Sequence, residues 1–101
     1  MTSFERLVAA KIQLLPLPEI ATHFVFERDG FVALVERRDD GFGRVGAAGL
    51  WTEKGLAPLV WRGDQAFFVL KEIEHLASDI DVQKLRNFQA DLVASLASAG
   101  V

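Results

Sequence analysis

Residues 22–37 read THFVFERDGFVALVER, and this stretch decides the fold because it predicts a β-hairpin. Its two halves are rich in Phe and Val, side chains that favour strands. Asp29-Gly30 lies between the halves, and this dipeptide is typical of a two-residue turn in which both positions take a positive φ. A turn of that length places Phe26 opposite Ala33, on a sheet face that we expect to form the core.

Further turn signals divide the chain after this hairpin. Residues 39–41, 52–55 and 62–65 each contain a glycine among polar residues. We therefore predict a five-stranded antiparallel meander, with strands at residues 22–28, 31–37, 42–51, 56–61 and 66–70.

Two of these strands have unusual sequences. Residues 46–49 are all Gly or Ala, and side chains this small let a helix or another backbone approach closely. A helix is the alternative for this segment, although two glycines within four residues disfavour it. Pro58 indicates that the fourth strand has an edge or irregular position.

A helix is predicted at the start of the chain. Thr2 and Glu5 have the spacing of a capping box, and apolar residues then recur at helical intervals. Because Pro16 cannot continue a helix, we expect this one to end near residues 13–15. Residues 14–18 are then interpreted as a short extended connector.

The other end of the chain predicts a longer helix. Asp81 is its predicted N-cap, and the helix should run for about four turns. One face carries an apolar stripe formed by Val82, Leu85, Phe88, Leu92 and Leu96. Residues 71–78 fit either a strand or a helical turn. The whole pattern predicts a single α+β domain over residues 1–101, in which both helices cover one face of the sheet.

Composition excludes several classes of function. The net charge is −3, whereas proteins that neutralise phosphates usually carry a basic surface, so we expect no nucleic-acid partner. The chain has no cysteine, and no motif predicts a metal site or a cofactor. Glu5 and Arg6 precede any apolar run, so we expect no signal peptide, no membrane partner and a cytoplasmic protein.

An excess of apolar residues points to a protein partner. Hydrophobic residues make up 50% of the chain and eight glycines add to them, against a usual combined share of about 45–50%. A small domain has little interior to hold this excess, so we expect part of it to be buried against another chain. The predicted partner-binding residues are Trp51 and Trp61, common interface anchors, with Val25 and Leu34 on the second sheet face.

Two polar clusters are candidates for binding or chemistry. His23 and Glu36 lie opposite each other in the predicted hairpin, where a carboxylate could orient the imidazole; the alternative is a solvated cross-strand pair. Since no nucleophile stands beside them, we predict no catalytic residue. The second cluster consists of the arginines near two turns that a meander places at one end of the sheet, namely Arg37, Arg38, Arg44 and Arg62. They form a predicted anion-binding site or, alternatively, solvated turn charges.

The function favoured by this sequence is that of a non-enzymatic binding or assembly module that acts as a homodimer. One alternative is a chaperone-like adaptor that binds an extended peptide, which rests on small size and acidic charge alone. Another is a small-ligand binder or enzyme that uses His23, Glu36 and the arginine-lined end of the sheet.

Overall fold

A computed structural model of the chain describes residues 2–17 and 20–97. The elements are α1 Ser3–Ala9, β1 Gln13–Leu15, β2 His23–Arg28, β3 Phe31–Arg38, β4 Gly41–Thr52, β5 Gly55–Arg62, β6 Gln65–Leu70, β7 Ile73–Ala77 and α2 Asp79–Ala97. The strands form one antiparallel sheet in which each strand pairs with the next along the chain. An α+β meander between two helices is therefore confirmed, but the sheet has seven strands where the sequence predicted five.

The hairpin formed by β2 and β3 has the predicted register. Phe26 pairs with Ala33 across the two strands. At the turn, φ is 57° for Asp29 and 88° for Gly30, the positive values that the dipeptide predicts. The Glu27 carboxylate accepts a hydrogen bond from the Gly30 N–H at 2.9 Å, which fixes the turn further.

The two additional strands lie at the edges of the sheet. The connector predicted at residues 14–18 is wrong in its first part, because Leu14 and Leu15 belong to β1 and pair with β2; Pro18 lies outside the described residues. β7 pairs along its whole length with β6, so residues 73–77 of the open segment 71–78 form a strand. The turn before β7, Lys71-Glu72, contains no Gly, Asn or Asp and so carries no sequence signal.

Residues 46–49 form part of β4, so the predicted strand is confirmed over the helical alternative. Pairing with β3 runs from Ala33–Ala48 to Val35–Val45 and then to Arg37–Phe42. Between successive pairs β4 therefore advances by three residues while β3 advances by two. These are β-bulges, which bend a strand and increase its twist. The bend of β4 therefore lies within residues 42–48, where the register shifts.

β5 divides its pairing between two neighbours. Its first half, residues 55–58, pairs with residues 49–52 of β4. Its second half, residues 59–62, pairs with residues 65–68 of β6. The change falls at Pro58, which lacks the N–H that a continuous central strand would use.

Helix α1 ends at Ala9, four to six residues earlier than predicted. The Ile12 N–H donates to the Leu7 carbonyl at 2.9 Å and the Lys11 N–H donates to the Val8 carbonyl at 3.0 Å. These two bonds define a Schellman motif, in which the residue after the C-cap takes a left-handed conformation. Lys11 occupies that position with φ 61°.

Helix α2 begins at Asp79, so the prediction that Asp81 is its N-cap is wrong. The Ser78 hydroxyl accepts from the Asp81 N–H at 3.1 Å, and the Asp81 carboxylate accepts from the Ser78 N–H at 3.0 Å. Ser78 therefore caps the helix, with Asp81 as the reciprocal member of a capping box. The helix has 19 residues, about five turns.

Both helices pack on one face of the sheet, as predicted. The α2 stripe and Leu7 of α1 belong to one core cluster with Phe26, Phe31 and Phe68 of the sheet. Arg28 ties these elements together, because its guanidinium donates to the Ala10 carbonyl at 3.0 Å and to the Asp91 carboxylate of α2 at 2.8 Å. The molecule measures 40 × 27 × 19 Å, and the shortest dimension fits one helix layer on one sheet.

Candidate partner-binding surface

The outer face of the sheet, the one turned away from α1 and α2, differs between its two halves. In the β1–β4 half, Val25 and Val32 are buried on this face although neither belongs to the core cluster. In the β5–β7 half, three apolar residues stand in one cross-strand row, since Val60 pairs with Phe67 and Phe67 pairs with Leu76. We call these three residues the outer-face row.

The outer-face row is open to solvent. Val60 is 37% exposed and Leu76 is 61% exposed, whereas Phe67 between them is half-buried. Direct cross-strand neighbours lie about 4.5–5.5 Å apart, so the three side chains form a continuous apolar strip across three strands. Exposed apolar strips of this kind mark interaction sites more often than scattered single residues do.

One ion pair borders the strip. The Arg62 guanidinium donates to the Glu74 carboxylate and lies over the Phe67 ring, 5.2 Å from its centroid. Arginine stacked on an aromatic ring beside an apolar patch is a common composition of protein interfaces. Arg62 thereby lies in the candidate surface, although the sequence assigned it to an anion site.

The two tryptophans do not form one surface. Trp51 pairs with Leu56 on the outer face, while Trp61 pairs with Ala66, whose side chain is buried on the helix-covered face. Trp61 is 51% exposed and lines a small cleft of about 220 Å³ at the start of α2. The structure therefore leaves only Trp51 near the outer-face row.

The other two predicted partner-binding residues lie in the β1–β4 half. Val25 is 2% exposed, so its side chain offers no surface to a partner, and Leu34, its cross-strand neighbour, is half-buried. The outer-face row begins at β5, two strands away from Leu34 in β3.

The four predicted anion-binding arginines do not converge on one place, although two of them act on the same carboxylate. Arg38 donates to the Glu36 carboxylate at 2.6 Å, and Arg44 contributes to the electrostatic field at the same carboxylate. Arg37 lies on the opposite face, with its guanidinium 4.0 Å from the centroid of the Phe24 ring. Arg62 pairs with Glu74 of β7, in the other half of the sheet. Because β5 leaves β4 at Pro58, the two turns that carry these arginines diverge.

His23 and Glu36 are cross-strand neighbours, as the register predicts. Their side chains, however, have other partners: the His23 ring shares a 2.8 Å hydrogen bond with the Thr22 hydroxyl, and Glu36 accepts from Arg38. The hydrogen bond from Arg38 and then its charge lower the pKa of Glu36, with smaller contributions from His23 and Arg44. Glu36 is thus occupied as an ion-pair partner and does not orient the imidazole.

Over residues 2–17 and 20–97, no group of three or more acidic or histidine side chains could hold a metal ion. No helix in that part of the chain is both long and apolar enough to cross a bilayer.

No protein-family model, curated protein or solved structure matches the chain.

The outer-face row was missed in the sequence because Leu76 gains its place only through β7, the strand whose preceding turn carries no signal. The one sequence signal for β7 was the alternation of residues 73–77, which places Ile73 and Ala77 on one face and Glu74 and Leu76 on the other. In the structure Ala77 is buried and Ile73 is half-buried.

Proposed function

We propose that the protein is a non-enzymatic binding module that self-associates as a homodimer through the outer face of β5–β7. The observation that carries the proposal is the outer-face row, an apolar strip formed by Val60, Phe67 and Leu76 that neither described helix covers. In a two-fold dimer, the same strip on each subunit would cover the other.

The surface of the molecule is large enough for a dimer interface of ordinary size. A stable interface of ordinary size buries about 800 Å² per partner, which is about an eighth of the 6557 Å² surface of the chain. On the outer face itself, Trp51 is 38% exposed and adds aromatic surface near the outer-face row.

The test is the mass of the protein in solution, measured by size-exclusion chromatography with light scattering. The dimer should have twice the 11.2 kDa of the chain. Leu76→Glu places a charge at the most exposed position of the outer-face row and should raise the dissociation constant of the dimer by about tenfold or more.

Val93→Glu is the matched control. Val93 is 49% exposed on α2, which covers the other face of the sheet, so this substitution should leave the dimer intact. A wild-type protein that stays monomeric at high concentration would contradict the proposal, and so would equal effects of the two substitutions.

The outer edge of β7 supports a second candidate function, the binding of an extended peptide. Among the described residues, β7 pairs only with β6, so one row of its backbone N–H and C=O groups is unpaired. Such an edge can accept an added strand through main-chain hydrogen bonds. A monomer that binds a permanently unfolded polypeptide, such as reduced and carboxymethylated lactalbumin, would favour this function over self-association.

A further inference from the structure

An apolar cleft of about 420 Å³ lies between α1 and the sheet, away from the outer-face row. Phe4, Leu7 and Val8 of α1 line it together with Phe24, Phe26 and Phe42 of the sheet, and residues 12–14 also contribute. Small-molecule sites usually have volumes of about 300–1,000 Å³ and mostly apolar walls, so the cleft has the size and the lining of such a site.

The aromatic side of the cleft is well ordered by ring contacts. The Phe24 and Phe42 rings meet edge to face with centroids 5.1 Å apart, and the Phe26 and Phe42 centroids are 5.8 Å apart. These distances fall in the range of favourable aromatic pairs, so the three rings support one another in fixed positions. They form a preorganised apolar wall.

The helix side of the cleft is unusually exposed. Phe4 is 75% exposed and Val8 is 59% exposed, although both line the cleft. Moving side chains of this size out of water lowers the free energy, and no described residue covers them. An apolar guest between α1 and the three rings would bury them.

Arg37 supplies a charge beside the apolar wall. It pairs with Phe42 across β3 and β4, and its guanidinium lies over the Phe24 ring, 4.0 Å from the centroid. It makes no ion pair with a described carboxylate, unlike Arg28, Arg38 and Arg62. Stacking on the ring leaves its N–H groups available, and a guanidinium binds a carboxylate through two parallel hydrogen bonds.

Space for a charged group is present at the same place. A second, more open cleft of about 680 Å³ adjoins the first, since both are lined by Leu14 and Phe24, and Arg37 lines the second one. We propose that the α1 cleft binds an aliphatic carboxylate of the fatty-acid class, with the chain between α1 and the three phenylalanine rings and the carboxylate on Arg37. This site shares no residue with the dimer surface, so either proposal can fail without the other.

The experiment titrates the full chain with dodecanoate below its micelle concentration, by isothermal calorimetry. Dodecanol, which has the same chain without a charge, is titrated in parallel. Arg37→Gln should weaken dodecanoate binding by about tenfold while leaving dodecanol unchanged. Val8→Lys, a change at an exposed position of the cleft, should weaken both ligands.

Arg44→Gln is the matched control, because Arg44 is an exposed arginine whose charge acts at Glu36, on the other face of the sheet. It should bind dodecanoate as the wild type does. Equal binding of dodecanoate by wild type and Arg37→Gln would overturn the assignment. Binding to phosphatidylcholine vesicles with none to free dodecanoate would also overturn it, since α1 would then be a membrane-contacting helix.

Discussion

At Gly49 the fold depends on the absence of a single carbon atom. A Cβ at this buried position would lie 2.1 Å from the Ala57 carbonyl oxygen of the paired strand, and that oxygen belongs to backbone that cannot rotate away. Gly49 is thus the residue that lets β4 and β5 approach closely enough to pair.

Gly49→Ala should therefore lower the free energy of unfolding by about 2–4 kcal/mol, because the two strands must move apart. Urea denaturation followed by circular dichroism measures this. Gly46→Ala is the control: its added carbon would have as nearest neighbour the Leu34 carbonyl oxygen at 3.5 Å, an ordinary contact, and the cost should stay below about 1 kcal/mol. Equal costs at the two positions would show that strand propensity, and not close approach, sets the value.

Glu36 gives a pH-dependent test at the same scale. Arg38 lowers the pKa of this carboxyl, so the ion pair stabilises the folded chain at neutral pH, and that contribution is lost as the pH falls through the lowered pKa. In Arg38→Gln the midpoint of the Glu36 carboxyl titration, followed by NMR, should move up toward its usual value. An unchanged midpoint would mean that Arg38 does not govern Glu36.

Among the elements, α1 shows how a helix end can escape sequence analysis. Ile12 is buried and continues the helical spacing of Leu7 and Val8, yet it lies beyond the helix, as the second residue after the C-cap in the Schellman motif. The spacing of these apolar residues therefore predicts a longer helix than the chain forms. The residue that ends the helix is Lys11, and nothing in a lysine indicates a left-handed conformation.

Lys11→Gly should raise the free energy of unfolding by about 0.5–1 kcal/mol, because φ 61° strains a lysine and not a glycine. The chemical denaturation midpoint should increase with an unchanged slope. Lys84→Gly, in the interior of α2, should instead lower stability by about 1 kcal/mol. A loss of stability in both variants would contradict the Schellman geometry at Lys11.

The strands show where sequence analysis succeeds and where it stops. The β2–β3 hairpin was predictable because Asp29-Gly30 requires two positive φ values, and its register followed from the turn length. β1 was not predictable, because three residues are too few for alternation to be detected.

The N-cap of α2 was predicted wrongly for another reason. Asp81 was mistaken for the N-cap because a capping box carries a polar residue at both of its ends.

For the molecule as a whole, the sequence predicted both helices on one sheet face and excess apolar surface elsewhere, but not its location. The sequence predicted Trp51 and Trp61 as partner-binding residues of one surface, yet Trp61 lies five residues along β5 from Leu56, the partner of Trp51. An odd offset along a strand puts a side chain on the opposite face. Locating the candidate surface therefore required the complete strand register.

The change of partner along β5 leaves a gap in the strand pairing inside the sheet, which we call the seam. Among the described residues, β4 over positions 41–48 has a neighbouring strand on one side only, because β5 pairs with β6 and not with β4 after Pro58. Roughly every second amide of this stretch should exchange its proton with deuterated water as fast as an edge strand does, while β3 stays protected. Uniformly slow exchange across 41–48 would mean that this seam is closed in solution. If it is open, the two ends of the sheet are joined by four residue pairs and by the helix above them, so each end can twist without carrying the other along.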